Sequence, residues 1–262
     1  MLSLGIQGKT ALVAGSTQGI GFAAAEALAS LGANCVLISR NEEKLKSAAA
    51  RLDTARGQQH SYLVADFQKP ESVEGVVSSF LKDHNIDILV NNTGGPAAGP
   101  VADATPEQFI AAFQQHLICN HILVRLVMQG MKHAGYGRIV NVISTSVKIP
   151  LKGLGVSNTI RGAVASWAKT MANELGQYGI TVNNVLPGAT ATERLETIID
   201  NKVAKTGLQA DAVEKEMLEE IPAKRFGQPA EIGAVIAFLC TPAAAYVNGT
   251  SIPVDGGRTG SI

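Results

Sequence analysis

The chain has 262 residues, with 22 Lys and Arg against 22 Asp and Glu, 46% hydrophobic residues and a further 27 glycines. Such a length supplies one large α/β core, and the charge balance gives no reason to expect nucleic acid or a charged membrane surface as a partner. No apolar run approaches the ~18 residues of a membrane span, and MLSLGIQGK lacks a secretory pattern. Cys35, Cys119 and Cys240 have no metal-ligand spacing, so reduced, buried thiols, no metal and a soluble, cytoplasmic protein are expected.

In chain order, Thr10–Ala14 is an apolar run suited to a strand buried on both faces. It breaks at Gly15, and Gly19, Ile20 and Gly21 lead into an Ala-rich helix over Phe22–Leu31. Strand, glycine turn and helix in that order open a dinucleotide-binding βαβ unit. Glycine lets the backbone approach a pyrophosphate, and the helix N-terminus favours its charge. Gly15, Ser16, Thr17, Gly19, Ile20 and Gly21 are therefore cofactor-binding candidates, although a G-x-x-x-G-x-G turn is by itself also compatible with a tight connection.

Further strands are expected at Asn34–Ser39, Ser61–Ala65, Ile86–Val90, Arg138–Ile143, Ile180–Leu186 and Ile252–Val254. The intervening helices fall at Glu42–Arg56, capped by Asn41, and at Glu71–His84, entered through Pro70. Two long ones follow, at Pro106–His133 and Gly155–Tyr178. Alternation of this kind predicts α/β class: a single doubly wound, Rossmann-like domain over 1–262 with a parallel sheet of about seven strands. Its ligands bind at the carboxyl ends of the strands.

At the end of the second strand stand Ser39 and Arg40, where an Asp or Glu would accept a hydrogen bond from a free ribose 2′-hydroxyl. Glu42 and Glu43 read better as first-turn helix residues. An Arg here can hold a 2′-phosphate, so NADP(H) is expected over NAD(H), with a solvated surface Arg as the alternative.

These motifs, taken with those downstream, resemble the short-chain dehydrogenase/reductase family over nearly the whole chain, and its 3-oxoacyl-acyl-carrier-protein reductase-like members in particular. AGSTQGIG (Ala14–Gly21) is similar to that family's cofactor loop. VADF (Val64–Phe67) falls where the family sets an Asp against the adenine, which implicates Asp66 and Phe67. NNTG (Asn91–Gly94) resembles its NNAG segment beside the cofactor, implicating Asn92 and Gly94. Leu186–Gly188 with Thr190 and Thr192 is similar to the loop around the nicotinamide, implicating Pro187, Gly188, Thr190 and Thr192. Arg225–Gly233 and Val254–Gly257 look like the family's closing segments.

The family's catalytic set is an Asn in the long first helix, a Ser after the fifth strand, and Tyr-x-x-x-Lys opening the next helix. Here GRIVNVIS keeps the serine as Ser144, His116 stands for the Asn, and Ser157 and Arg161 replace the Tyr and Lys. A carbonyl receiving hydride needs a proton donor within reach, and losing one typically costs about 10²–10⁴-fold. On one reading Ser144 polarises the substrate oxygen and Ser157 delivers a proton through water. Arg161 then anchors the cofactor ribose or an anionic substrate group, and His116 joins the relay because imidazole titrates near neutrality. On the other, Ser157 and Arg161 are helix-face residues and His116 is a satisfied packing histidine.

Thr192–Pro222 lies where the family carries a substrate lid, although its TERLETIIDNKVAK portion also suits a plain surface helix. Three functions remain open: an NADP(H) oxidoreductase acting on a carbonyl or alcohol, 3-oxoacyl-like, with a non-standard proton donor; a cofactor-binding or sensor protein without turnover; and a dehydration or double-bond reduction in the same pocket. Leu123, Leu126, Val127, Val164, Trp167 and Met171 on the two long helices, with the family resemblance, imply a homo-oligomer, a dimer or homotetramer.

Overall fold

Seven short, β-branched-rich segments flanked by glycine and polar turns cannot hide both faces except between two layers of helix. The structure, a computed structural model describing residues 3–261, resolves this as a single parallel seven-stranded sheet. Its strands are β1 (Thr10–Ala14), β2 (Asn34–Ser39), β3 (Ser61–Val64), β4 (Ile88–Asn91), β5 (Gly137–Val142), β6 (Ile180–Pro187) and β7 (Ser251–Val254). They lie in the order β3-β2-β1-β4-β5-β6-β7, so the winding reverses between β1 and β4 and opens a crevice at the carboxyl ends there.

The helices are α1 (Gly19–Ser30), α2 (Glu42–Ala50), α3 (Pro70–Phe80), α4 (Pro106–Phe113), α5 (Cys119–Ala134), α6 (Gly155–Leu175), α7 (Glu193–Thr206), α8 (Ala210–Glu219) and α9 (Pro229–Leu239). One core packs α1, α2 and α9 on the sheet, with Leu28, Leu37, Leu45 and Ile236 fully buried. The other packs α3, α5 and α6 on the opposite face, around Leu12, Ile38, Leu123 and Ile139.

Several expected boundaries move. The helix expected to reach Arg56 stops at Ala50, because Asp53 Oδ1 accepts from the Ala55 amide at 2.8 Å in a local turn that competes with helix. The helix expected to reach His84 ends at Phe80. The fourth strand begins at Ile88 rather than Ile86, since the Asp87 carboxylate turns aside to accept from the Thr10 amide at 3.0 Å and to pair with Lys9 at 2.9 Å. The first long helix is interrupted by a π-helical turn, Gln114–Ile118, and the second closes in a 3₁₀ turn, Gly176–Tyr178. Helix α9 begins within the Arg225–Gly233 closing motif and runs beyond it, and its capping box of Gln228 and Glu231 marks its start.

Across the carboxyl half of the sheet, Asn91, Asn141, Asn184 and Ser251 stand in register on adjacent strands. Asn91 Nδ2 donates to Asn141 Oδ1 at 2.9 Å, Asn141 Nδ2 to Asn184 Oδ1 at 3.0 Å, and Asn184 Nδ2 to Ser251 Oγ at 3.0 Å. These bonds lock the register beneath the crevice, because a slip of one residue would break all three, while Asn91 Oδ1 at the end of the row has no partner in the protein. Among the described residues no helix is long and apolar enough to cross a membrane.

Candidate active site

The glycine turn is held shut from beneath. Asn92, just past β4, donates from Nδ2 to the Ala14 and Gly15 carbonyls at 3.3 and 3.1 Å. Gly15 has φ +57°, and a Cβ on it would strike the Asn92 carbonyl. A Cβ on Gly21 would strike the Gly15 carbonyl and lie 2.6 Å from Asn92 Nδ2. The turn can therefore carry only backbone at these two points, which leaves the α1 amides open at the crevice. Ser16 Oγ is buried there with no partner in the protein, as befits a hydroxyl awaiting an acceptor. Thr17 and Ile20 are half-buried, and the Thr192 methyl lies 3.3 Å from the Cβ position of Gly19.

Gly15, Ser39, Arg40, Asp66, Phe67 and Gly94 share one cavity of about 310 Å³ with Thr93 and Gln115. Glu42 and Glu43 are turned away from it, both within ion-pair distance of Lys46, with Glu42 also accepting from Tyr62 at 3.1 Å. Arg40 is thus the charged side chain at the end of β2 that lines the cavity. On the opposite wall, Gly188 follows Pro187 at the end of β6 and donates from its amide to Val254 O at 3.0 Å. Thr190 and Thr192 turn their hydroxyls onto the Gly188 and Thr190 carbonyls at 3.1 and 3.2 Å. These features, a backbone cradle, an orphaned hydroxyl and a cation at the β2 end, fit a phosphorylated dinucleotide.

Beyond the cradle, Ser144 follows β5 in extended conformation and accepts from the Ser146 amide at 3.1 Å, which leaves its own O–H free to donate. Ser157 and Arg161 stand one turn apart in α6, on the same side of the helix. Arg161 is buried and donates from Nη1 to Val142 O at 3.2 Å and from Nη2 to Thr93 O at 3.3 Å. Burial, and secondarily Arg194, push its pKa down to about 10, so it remains a fixed cation at neutral pH.

His116 is fully buried within the π-helical turn. Its Nδ1 lies 2.6 Å from Thr93 Oγ1, and its Nε2 has no partner in the protein. The π turn widens the helix by one residue here, which is what brings the ring against Thr93. Burial first, and the Arg161 charge second, hold its pKa at about 2. Burial, with the Arg161 charge beside it, thus disfavours the imidazolium and runs against the expectation that His116 titrates near neutrality.

Two residues escaped the sequence reading. Thr93 replaces the Ala of the resembled NNAG segment, and its contact with His116 joins two departures from the family pattern. Arg194, at the start of α7, donates to Pro96 O at 2.8 Å. Of the six apolar residues on the two long helices, Leu123, Val127, Val164 and Met171 are buried in the chain's own core, and Leu126 and Trp167 remain half-buried.

The fold and the site together define a dinucleotide-binding oxidoreductase of doubly wound architecture. The family model described as Enoyl-(Acyl carrier protein) reductase matches residues 14–259. The D-beta-hydroxybutyrate dehydrogenase of Cupriavidus necator is 32% identical over 254 residues, 96% of this chain and 98% of that protein. The 3-oxoacyl-[acyl-carrier-protein] reductase FabG of Vibrio cholerae is 31% identical over 255 residues, 97% of this chain and 98% of that one. Among solved structures, L-sorbose reductase from Gluconobacter frateurii, complexed with NADPH and L-sorbose, superposes with a TM-score of 0.92 at 31% identity, covering 99% of this chain and 100% of that one. The chain belongs to the short-chain dehydrogenase/reductase family, whose members transfer hydride.

Proposed function

We propose that this protein is an NADP(H)-dependent reductase that holds the charge developing on its substrate oxygen with a fixed cation in place of a phenol and lysine. The observation that carries this reading is the buried, permanently charged Arg161 at the carboxyl ends of β4 and β5, one helical turn from Ser157. When bound, the cofactor supplies the hydride. Gly15–Gly21 and the N-terminus of α1 bind its pyrophosphate, Arg40 its 2′-phosphate, Asp66 and Phe67 flank its adenine, and Asn92, Gly94, Pro187, Gly188, Thr190 and Thr192 wall its nicotinamide half. Arg161 retains N–H groups beyond its two carbonyl bonds for a ribose hydroxyl or the substrate. Ser144 donates its free O–H to the substrate oxygen, and Ser157 holds the water that returns the proton.

A second reading, reduction of a carbon–carbon double bond conjugated to a carbonyl, is favoured by one observation. The titratable groups at this point are His116, held at about 2, and Arg161, at about 10, so neither exchanges a proton near neutrality. Hydride addition to an enone leaves an enolate, which a cation and one hydrogen bond can stabilise without concerted protonation. Helices α7 and α8 serve as the lid over this cleft. Supporting that role, Gln18 Nε2 reaches Glu193 Oε2 at 2.6 Å and Arg194 reaches Pro96 O across the opening.

The test follows NADPH and NADH oxidation in parallel with a diketone and an enone. NADPH is expected to be preferred, and Arg40→Ala to weaken NADPH affinity about 10–100-fold, the worth of charge-assisted bonds to a phosphate, while sparing NADH. Equal use of both cofactors sinks the 2′-phosphate assignment. Tight NADPH binding with neither compound reduced would favour the non-catalytic binding role instead. Assembly into a dimer or tetramer through the Leu126 and Trp167 faces of α5 and α6 is expected from family membership. A monomer by light scattering at micromolar concentration would refute it.

A further inference from the structure

Two guanidinium groups converge on one small space beside Gly95. A methyl group built on Gly95 would lie 3.6 Å from Arg194 Nη2 and 4.0 Å from Arg161 Nη2, so one small ligand group there touches both. Arg161 rises from the floor of the cleft on α6, and Arg194 descends from α7. Their recorded partners are backbone carbonyls: Val142 and Thr93 for Arg161, Pro96 for Arg194. No ion pair among the described residues includes either one. Arg161 is buried and Arg194 is exposed at the mouth of the cleft; like charges this close repel, and neutral carbonyls offset that only in part. The adjacent His116 is neutral and adds no counter-charge, while Arg194 in turn depresses the pKa of Arg161. An anion completes the arrangement.

We propose that the substrate is an oxo acid whose free carboxylate sits beside Gly95 between Arg161 and Arg194, next to the reacting carbonyl. The proposal rests on the reductase reading and narrows its substrate class. A carboxylate bridging both guanidiniums leaves the neighbouring carbonyl oxygen to the remaining Arg161 donors. A 3-oxoacyl thioester, neutral at that distance, offers the second arginine only a neutral carbonyl acceptor and no charge. Gly95 lines the same cavity as Gly15, Arg40 and Asp66, so the experiment is built to separate a substrate carboxylate from a cofactor phosphate.

Acetoacetate and its methyl ester are compared as substrates, and oxalate, which is not reduced, is titrated into the NADP⁺ complex at constant ionic strength against a sulfate control. The parent is expected to favour acetoacetate over the ester by about tenfold or more in kcat/KM, the worth of one charge-assisted contact. Oxalate, but not sulfate, should raise its Tm. Arg194→Gln should abolish both effects. Gly95→Ala should do the same by filling the space while touching the arginines only at ordinary van der Waals distance; Gly95 has no left-handed φ, so alanine is tolerated. Turnover of both compounds without preference, together with no oxalate effect, overturns the oxo-acid proposal and leaves the reductase reading intact. A specific oxalate effect with no turnover of any compound supports the anion site and overturns the reductase reading. An Arg194→Gln loss confined to NADPH affinity, measured by nicotinamide fluorescence, assigns the pair to a cofactor phosphate and overturns the proposal.

Discussion

Replacing Arg161 by Gln is expected to lower kcat/KM for reduction by about 10²–10³-fold, the loss seen when one preorganised donor to a developing oxyanion is removed. The charge at this position comes from a side chain buried between Val142 and Thr93 and is already oriented before substrate arrives. Arg161→Lys keeps the charge but cannot reach two carbonyls and a ligand together, so its loss should be intermediate. Steady-state kinetics read the difference, with circular dichroism confirming that each variant is folded. The parent's kcat should be flat between about pH 6 and 9, because His116 at about 2 and Arg161 at about 10 leave nothing to titrate in that window. The double change Ser157→Tyr with Arg161→Lys brings in a phenol and an ammonium, and should raise simple carbonyl reduction while bending that profile on its alkaline side. A parent profile already bell-shaped around neutrality, or an Arg161→Gln variant of parental rate, would contradict the fixed-cation mechanism.

The second large effect concerns stability. His116 has a folded pKa near 2 against about 6.5 in the unfolded chain, so the unfolded state takes up a proton that the folded state refuses. Its contribution is fully present above about pH 6.5 and is lost as pH falls from there toward 2. Between pH 7.5 and 5 the unfolding free energy should drop by about 2 kcal/mol from this residue alone. His116→Asn, which keeps a hydrogen-bonding group for Thr93 and removes the titration, should be less acid-sensitive by that amount. Glu231, whose carboxyl the Arg225 hydrogen bond and the Gln228 amide hold at about 2, keeps its contribution above about pH 4.5 and loses it only below, which leaves this window clear. Urea midpoints of parent and variant at pH 7.5 and pH 5 make the comparison. Parallel changes in the two proteins would show that the ring is protonated in the folded state after all.

Much of this molecule was determined by local sequence. The strands Thr10–Ala14 and Asn34–Ser39 emerge with the expected bounds because an apolar run between glycine and polar turns has no other stable use in a chain of this length. The glycine turn is legible because backbone approach demands those residues wherever it occurs. Arg40 follows from its place at the end of the second strand, Asp66 and Gly94 from the resemblance of VADF and NNTG to family segments, and all three line the cavity.

The contacts that give the site its character depended on which strand ends and helices meet in space. Thr93 and His116 are 23 positions apart, and only the π turn at Gln114–Ile118 places the imidazole on the hydroxyl. That same burial removes the titration that composition alone suggests for a histidine. Asn91, Asn141 and Asn184 read as ordinary strand residues until register sets them side by side. Arg161 and Arg194 lie on α6 and α7, and no local pattern says that both reach Gly95. Hydrophobic periodicity is a property of neighbours in the chain, whereas the charge and proton affinity of a site are set by groups that are neighbours only after folding.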